Sequence, residues 1–508
     1  MFNKTANKVC LALMVAFFIS YGVEAASATQ QATNNPPFAD NRATGDKREG
    51  AAPPVAVEDR LKALEQVIER QQREIQTLRE LIEKRSAAAT PPAAIPEAAA
   101  AREASQQTPA AGRNEAAPPD TTQKRVDELY KKFGAIRVSG DIRFRAETFR
   151  NQGFDALADA PSRNRLRVRA RLAIDGTISK NFDWGFRLAT NSFTDPISTN
   201  QTLADFFERK PFALDRAFIR YDSKTEDVGV QLIAGKFEPT FRRTQMVWDD
   251  DLNVEGASEA LYFKTESSLK QVKLVAFQLP FDEQSGVKDG VLFGGQAQTD
   301  WQMSPTLSAN LNVGYYDWVR ADRVLLALGA SPFQVNGGIS NGAGTSGGQN
   351  GGLGTTNRII RNALGAPVGF VSNFHLLDIL GNLTWQASSQ FPVTVTFDYV
   401  RNMSSRAEGE EDGYWAGVQI GQTREKGDYL FGYTFTRIEQ DAVLVPFNFS
   451  DILASNSRAH IPTFGYQIAN AVTFQWTGLF SQRVNRVVLQ SPSNRWLNRM
   501  QFDVMYRF

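Results

Sequence analysis

Cysteine and histidine are nearly absent from this sequence, with one Cys and two His in 508 residues. So few thiols and imidazoles leave little from which to build a zinc site, a thiol nucleophile or a histidine-based catalyst. A dominant charge is absent too. The 56 Lys and Arg against 55 Asp and Glu give a formal net charge of +1, which points neither to nucleic acid nor to an acidic partner. Beyond Tyr21 there is no apolar run of about 18 residues, so no helix is expected to cross a bilayer. Phenylalanine, by contrast, is plentiful, with 35 residues, and much of the chain alternates between apolar and polar positions.

The first residues carry Lys4 and Lys8, then an apolar run from Val9 to Tyr21, then small residues suited to cleavage after Ala25 or Ala28. That layout predicts a secretory signal peptide over 1–25, too short to span a bilayer as a helix. Cys10 lies inside it, so the mature protein is expected to have no cysteine and no disulfide. Residues 26–56 are polar and read as disordered.

Over 57–85, Val57, Leu61, Leu64, Ile68, Gln71, Ile75, Leu78 and Ile82 are spaced alternately by four and three, the seam of a coiled coil. A lone amphipathic helix gives a similar stripe. Arg60 with Glu65 and Glu74 with Arg79 hold flanking positions that pair across parallel helices, which favours the coiled coil. The Ile and Leu placement leans toward a dimer by peptide rules. Residues 86–120 are rich in Ala and Pro, a linker that extends on the order of 100 Å at about 3 Å per residue. Residues 121–135 connect it to the rest.

From 136 to 508 the period is two. In the final stretch Phe502, Val504, Tyr506 and Phe508 share one side, with Arg499, Gln501, Asp503, Met505 and Arg507 on the other. Short turns are expected at 179–182, 223–227, 265–269, 303–305, 387–391, 423–427 and 469–471, separated by longer irregular stretches. Seven two-stranded units plus a first and a last strand make sixteen. An even number of strands, with short turns on one side and long loops on the other, predicts an all-β fold, a 16-stranded antiparallel transmembrane barrel. A soluble β-sandwich or propeller is the competing fold, but the apolar residues are too few for a core of that size.

The stretches "IRVSGDIRFRAETF", "RNRLRVRARLAIDGTISKNFDWGFRLATN", "DRAFIRYD", "GKFEPTF" and "VWDDDLNVEG" resemble the putative porin family of Gram-negative outer membranes, over roughly 136–508. In layout this sequence is similar to the phosphate-selective porins, although none of that group's binding residues can be carried over. The resemblance implies a bacterial outer-membrane location and a homo-oligomer, a trimer by analogy with porins. It also implies insertion by the barrel-assembly machinery, which reads a terminal signal of the kind Phe502, Val504, Tyr506 and Phe508 make. Bilayer lipid is then a partner, peptidoglycan is a candidate partner for a periplasmic N-terminal arm, and no cofactor is implied.

Arg163, Arg165, Arg167, Arg169 and Arg171 fall at every second position of one strand, and Arg137, Arg143 and Arg145 of the preceding strand share their phase. With lipid on the other face, this basic ladder lines the channel and offers bidentate sites to anions. The plainer alternative is that Asp141, Glu147, Asp175 and acidic loops neutralise it. Asp249, Asp250 and Asp251 lie in the third long connection, which in general porins folds inward as a constriction. An ordinary solvated loop is the alternative. A calcium loop is disfavoured because Val254 and Ala260 replace the glycine and glutamate it needs.

The "GAGTSG" at 342–347 lies in a Gly-rich loop without the strand and helix a nucleotide fingerprint requires. His375 and His460 have no serine motif nearby. No catalytic or metal site is expected. The functional reading is a passive porin for small hydrophilic solutes with an anion preference. Its competitor is an envelope tether or adhesin, in which the coiled coil acts and the barrel anchors.

Overall fold

The computed structural model describes residues 135–508, apart from 151–162, 192–196, 204–205, 224–226, 284–285, 287, 325–355, 364–366, 407, 446, 453 and 486–494. The chain divides into two units, Met1–Arg113 and Asn114–Phe508, and every described residue falls in the second. The expected signal segment, heptads and linker lie outside the described residues.

The first strands are β1 (Ala135–Arg150), β2 (Arg163–Ser179), β3 (Phe182–Thr190), the two-residue β4 (Gln201–Thr202), β5 (Phe212–Asp222), β6 (Val228–Phe237) and β7 (Val254–Lys264). Next come β8 (Leu269–Asp282), β9 (Gly290–Ser304), β10 (Leu307–Val319), the short β11 (Ile359–Arg361) and β12 (Pro367–Phe370), and β13 (His375–Trp385). The last are β14 (Val393–Asn402), β15 (Asp412–Gly421), β16 (Tyr429–Ile438), β17 (Ser457–Ala469), β18 (Val472–Arg483) and β19 (Leu497–Arg507).

Neighbouring strands pair antiparallel, and β1 pairs with β19 from Asp141↔Arg507 to Arg150↔Asn498, which closes the sheet. β4 pairs with β2 at Arg167↔Thr202, in the lane that β3 occupies lower down, so it adds no lane. β11 and β12 form a separate hairpin. Sixteen lanes result, as the alternation predicted, and the seven short turns fall where expected. Closure leaves no unpaired sheet edge, the condition for a sheet to sit in hydrocarbon.

The alternation sets which residues face outward. Ile142 and Phe144 on β1, Leu166 and Leu172 on β2, Val395 and Phe397 on β14, Phe431 and Tyr433 on β16, and Phe502 and Val504 on β19 are all exposed. Asp141, Arg145, Arg167, Arg169, Asp398, Gln501 and Asp503, in the opposite phase of the same strands, are buried on the inner side. Reversing the phase would put arginines against lipid, at about 2–4 kcal/mol each near the midplane. That penalty pins the register.

The interior is filled as well as polar. Loop 238–253, between β6 and β7, buries Phe241, Met246, Val247, Trp248 and Leu252. Loop 439–456, between β16 and β17, buries Ala442, Val443, Leu444 and Ile452. Both belong to one apolar cluster with Phe277, Leu292, Tyr316 and Trp318 of the wall.

Candidate functional site: a charged wall and two inward loops

The register of β1, β2 and β19 brings distant charges together. Across β1 and β2, Asp141 faces Arg171, Arg143 faces Arg169, Arg145 faces Arg167, and Glu147 faces Arg165. Across β1 and β19, Arg145 faces Asp503 and Glu147 faces Gln501. Period two on three neighbouring strands therefore builds one charged patch at the seam where the barrel closes.

Most of the arginines there have carboxylate partners. Arg145 binds Asp503 bidentately, Nε to Oδ1 at 2.7 Å and Nη2 to Oδ2 at 2.8 Å. Glu147 accepts from Arg165, from Arg499 Nη2 at 2.7 Å and from Gln501 Nε2 at 3.0 Å. Asp141 accepts from Arg169 Nε at 2.9 Å and Arg171 Nε at 2.6 Å. The Phe149 ring sits 5.0 Å from the guanidinium carbons of both Arg165 and Arg499, a cation–π arrangement.

Two arginines are held differently. Arg143 donates to Asn200 Oδ1 at 2.6 Å, while Arg167 donates to Ser198 Oγ at 3.2 Å and to the Asn200 carbonyl at 3.0 Å. Of the remaining ladder residues, Arg137 lies near the short-turn end, highly exposed and 3.7 Å from Asp175. Arg163 opens β2 opposite Phe149, partly exposed. Asp175 thus reaches only the end of the ladder; the neutralising acids are Asp141, Glu147 and Asp503 of the wall, together with two loop residues.

Those two are Asp251 and Asp451. Asp251 Oδ1 lies 3.6 Å from Arg169 and 3.5 Å from Arg171. Asp451 lies 2.8 Å from Arg499 and 3.4 Å from Arg145, and accepts from Gln501 at 2.9 Å. Burial pushes both carboxyls up, but the arginines outweigh it and hold both below the usual carboxylate range: Arg169, Arg143 and Arg171 for Asp251, and Arg499 and Arg145 for Asp451.

The three consecutive aspartates part company. Asp249 turns away from the wall, accepting from Asp251 N at 2.9 Å and from Ser450 N and Oγ at 3.2 and 3.1 Å. Burial and the nearby Asp251 raise its carboxyl well above the ordinary value. Asp250 accepts from Gln245 at 2.8 Å, and burial raises it too. Only Asp251 meets the ladder.

Loop 238–253 is also tied across the interior. Arg242 binds Asp300 of β9 at 2.7 and 2.9 Å, Thr244 donates to Asp398 of β14 at 2.5 Å, and Asn253 joins Arg216 and Asp215 of β5 at 2.8 Å each. It meets loop 439–456 through a ring stack. The Trp248 and Phe447 centroids are 5.6 Å apart at 8°, and those of Trp318 and Phe447 are 4.7 Å apart at 17°. Backbone bonds Asp249 N to Phe447 O and Phe449 N to Gln245 O, both 2.8 Å, join the two loops.

Among the described residues, no group of three or more His, Cys, Asp or Glu could hold a metal ion. Arg499 and Asp503 were visible in the sequence as alternate positions of the last strand. Asp451 carried no local signal, and neither did the inward fold of its loop.

A family model described as "Putative porin" matches residues 23–508. The chain belongs to the putative porin family. This porin has 11% identity to Pseudomonas putida OprB at high pH, over 77% of this chain and 97% of that one, with a TM-score of 0.46. A triple mutant of Rhodopseudomonas blastica porin shares 11% identity over 74% of this chain and 100% of its own, with a TM-score of 0.38. No curated protein matches the sequence. The porin's closed barrel and apolar outer face fit an outer-membrane location.

Proposed function

We propose that this porin is a water-filled channel for passive diffusion of small hydrophilic solutes, narrowed by loops 238–253 and 439–456 and tilted toward anions by the arginine wall. The observation that carries this reading is the closed sixteen-lane barrel with apolar residues outside and charged residues inside. For selectivity, the support is a local excess of positive charge. Arg143, Arg145, Arg165, Arg167, Arg169, Arg171 and Arg499 face Asp141, Glu147, Asp251, Asp451 and Asp503. Arg143 and Arg167, which donate to neutral groups, are the natural source of that excess.

The test is a reversal potential in a salt gradient. The wild-type channel should give the anion-preferring sign, and an Arg143→Gln/Arg167→Gln variant should move toward cations. The shift should shrink as salt rises, because the Debye length is about 10 Å at 0.1 M. An unmoved reversal potential at low salt would refute the anion preference while leaving the channel reading intact.

The rest of the proposal concerns assembly and the arm. The barrel is inserted by the barrel-assembly machinery through Phe502, Val504, Tyr506 and Phe508, and works as a homo-oligomer. The heptads of 57–85 form a periplasmic coiled coil that reaches toward peptidoglycan. Surface labelling of a cysteine introduced at Glu69 on intact cells would contradict that location.

A further inference from the structure

At the long-loop end of β16 and β17 the outer face carries two opposed arginines. Arg437 lies next to the last residue of β16 and Arg458 next to the first of β17, and the two are direct cross-strand partners. Their phase is that of the exposed Phe431 and Tyr433, so both point out of the barrel, and both are exposed. Like charges directly opposite on one face of a sheet are unfavourable.

Only one of the two is compensated. Arg437 Nη2 lies 3.2 Å from Glu439 Oε1. Arg458 has no carboxylate partner among the described residues; it donates from Nε and Nη2 to Gln482 Oε1 at 3.0 and 2.5 Å, and its guanidinium carbon sits 5.5 Å over the Trp496 ring. Arg401 of β14 shows the contrast, with Glu411 at 2.9 Å and Asp412 at 3.4 Å. Next to Arg458 on the same face, His460 Nδ1 is 2.6 Å from Tyr433 Oη, and its ring is 5.5 Å from that of Trp496.

Height on the wall decides what meets this pair. The long loops of an outer-membrane barrel lie outside the cell, and tyrosine and tryptophan mark the level of the headgroups. Arg437 and Arg458 therefore stand among outer-leaflet headgroups, while Phe431 and Tyr433 follow them toward the hydrocarbon. Gln482 takes the Nε–Nη2 edge of Arg458, which fixes the fork and leaves its Nη1 donors for another acceptor. Guanidinium groups bind phosphate through charge-assisted hydrogen bonds. A phosphate between the two arginines replaces their repulsion with two attractive contacts, and its acyl chains find the exposed rings beside it.

We propose that Arg437 and Arg458, flanked by Trp496 and Tyr433, are a binding site for the phosphate headgroup of an anionic lipid in the outer leaflet. The site lies on the outside of the wall, so it goes beyond the channel reading and does not depend on it.

Native mass spectrometry of the full barrel in neutral detergent tests the site, with dioleoylphosphatidic acid, dioleoylphosphatidylcholine and inorganic phosphate as probes. Wild type should retain phosphatidic acid severalfold better than phosphatidylcholine, which has the same chains but a phosphate already neutralised by choline. A large molar excess of inorganic phosphate should not displace the lipid. Arg437→Gln/Arg458→Gln should lose the preference. Lys236→Gln, at the outward pair that Lys236 makes with Glu255 at 2.6 Å on β6 and β7, should keep it.

Equal retention of the two lipids by wild type, a comparison that needs no variant, would overturn the proposal. Displacement by inorganic phosphate would overturn it by assigning the site to the free ion. A preference undiminished in the double variant would overturn it by placing the lipid elsewhere on the wall. Heat-modifiable migration of each variant confirms folding before the comparison is read.

Discussion

Glu147 shows what one side chain contributes when burial and charge coincide. It is 3% exposed, and its oxygens serve Arg165, Arg499 and Gln501. Arg499 is itself buried, with Asp451 as its other counter-ion. Removing one partner of a buried pair costs about 3–5 kcal/mol, because the charge left behind has no water to return to. Glu147→Gln keeps the shape but removes the counter-charge of two guanidiniums at once. Its urea midpoint in detergent should fall markedly below wild type, whereas Glu255→Gln, at an exposed pair, should change the stability by no more than about 1 kcal/mol and leave the midpoint close to wild type. Equal midpoints for the two variants would mean that the seam network adds no stability. Arg499 thus joins Glu147 of the wall to Asp451 of the inward loop, so this part of the wall also holds the loop.

At the scale of elements, loops 238–253 and 439–456 act as one inward-folded unit, joined by the Trp248–Phe447 stack and pinned to the wall by Asp251 and Asp451. Both carboxyls have folded-state values below their unfolded ones. Their contribution is present above the unfolded carboxylate value, about 3.9, and is lost as pH falls through the folded values. Asp249, raised by burial, has the opposite sign: its contribution is full at low pH and is lost as pH rises through its folded value. Mild acid should thus leave the loops on the arginines, and only acid strong enough to reach those depressed values should loosen them, with the Asp249 contact with Ser450 still in place. Conductance in planar bilayers is therefore expected to be nearly the same at pH 7 and pH 4, where both pairs persist, and Asp451→Asn should raise it at pH 7 by removing one pair outright. An Asp451→Asn conductance equal to that of the wild type would show that this ion pair does not hold the path narrow.

For the whole molecule the decisive contact is the seam between the first and last strands. Phe508 donates its amide to Gly140 O at 3.1 Å and accepts from Gly140 N at 2.9 Å, extending the β1–β19 ladder by one residue. A side chain at Gly140 would meet Arg171 O at 2.3 Å and the Phe508 ring at 2.7 Å, so the glycine lets that ring lie against β1. Deleting Phe508 removes both backbone bonds and the outermost aromatic of the proposed assembly signal. The folded, heat-modifiable barrel should decline in the outer membrane while exported protein accumulates. Unchanged amounts of folded barrel would separate closure from Phe508.

Strand number, turn positions and the two faces of each strand were legible in the sequence, because each is a local property. Period two identifies a strand, lipid demands apolar residues on one face, and the alternate arginines of β2 cannot face the bilayer without prohibitive cost. The identity of the ion-pair partners was only half legible. Asp141 and Glu147 are in phase with the ladder, and Arg499 and Asp503 are in phase on the last strand, but the register that sets Glu147 beside Arg499, 352 residues away, depends on closure. The fate of the long loops was not legible at all. Asp249, Asp250 and Asp251 look alike as sequence, yet only Asp251 reaches the arginines, and Asp451 arrives from a loop with no periodicity to announce it. Local pattern determines what a strand must hide from lipid. What fills the interior is decided by three-dimensional contacts among segments distant in the chain, such as Trp248, Trp318 and Phe447, whose stacking exists only once the barrel has closed around them.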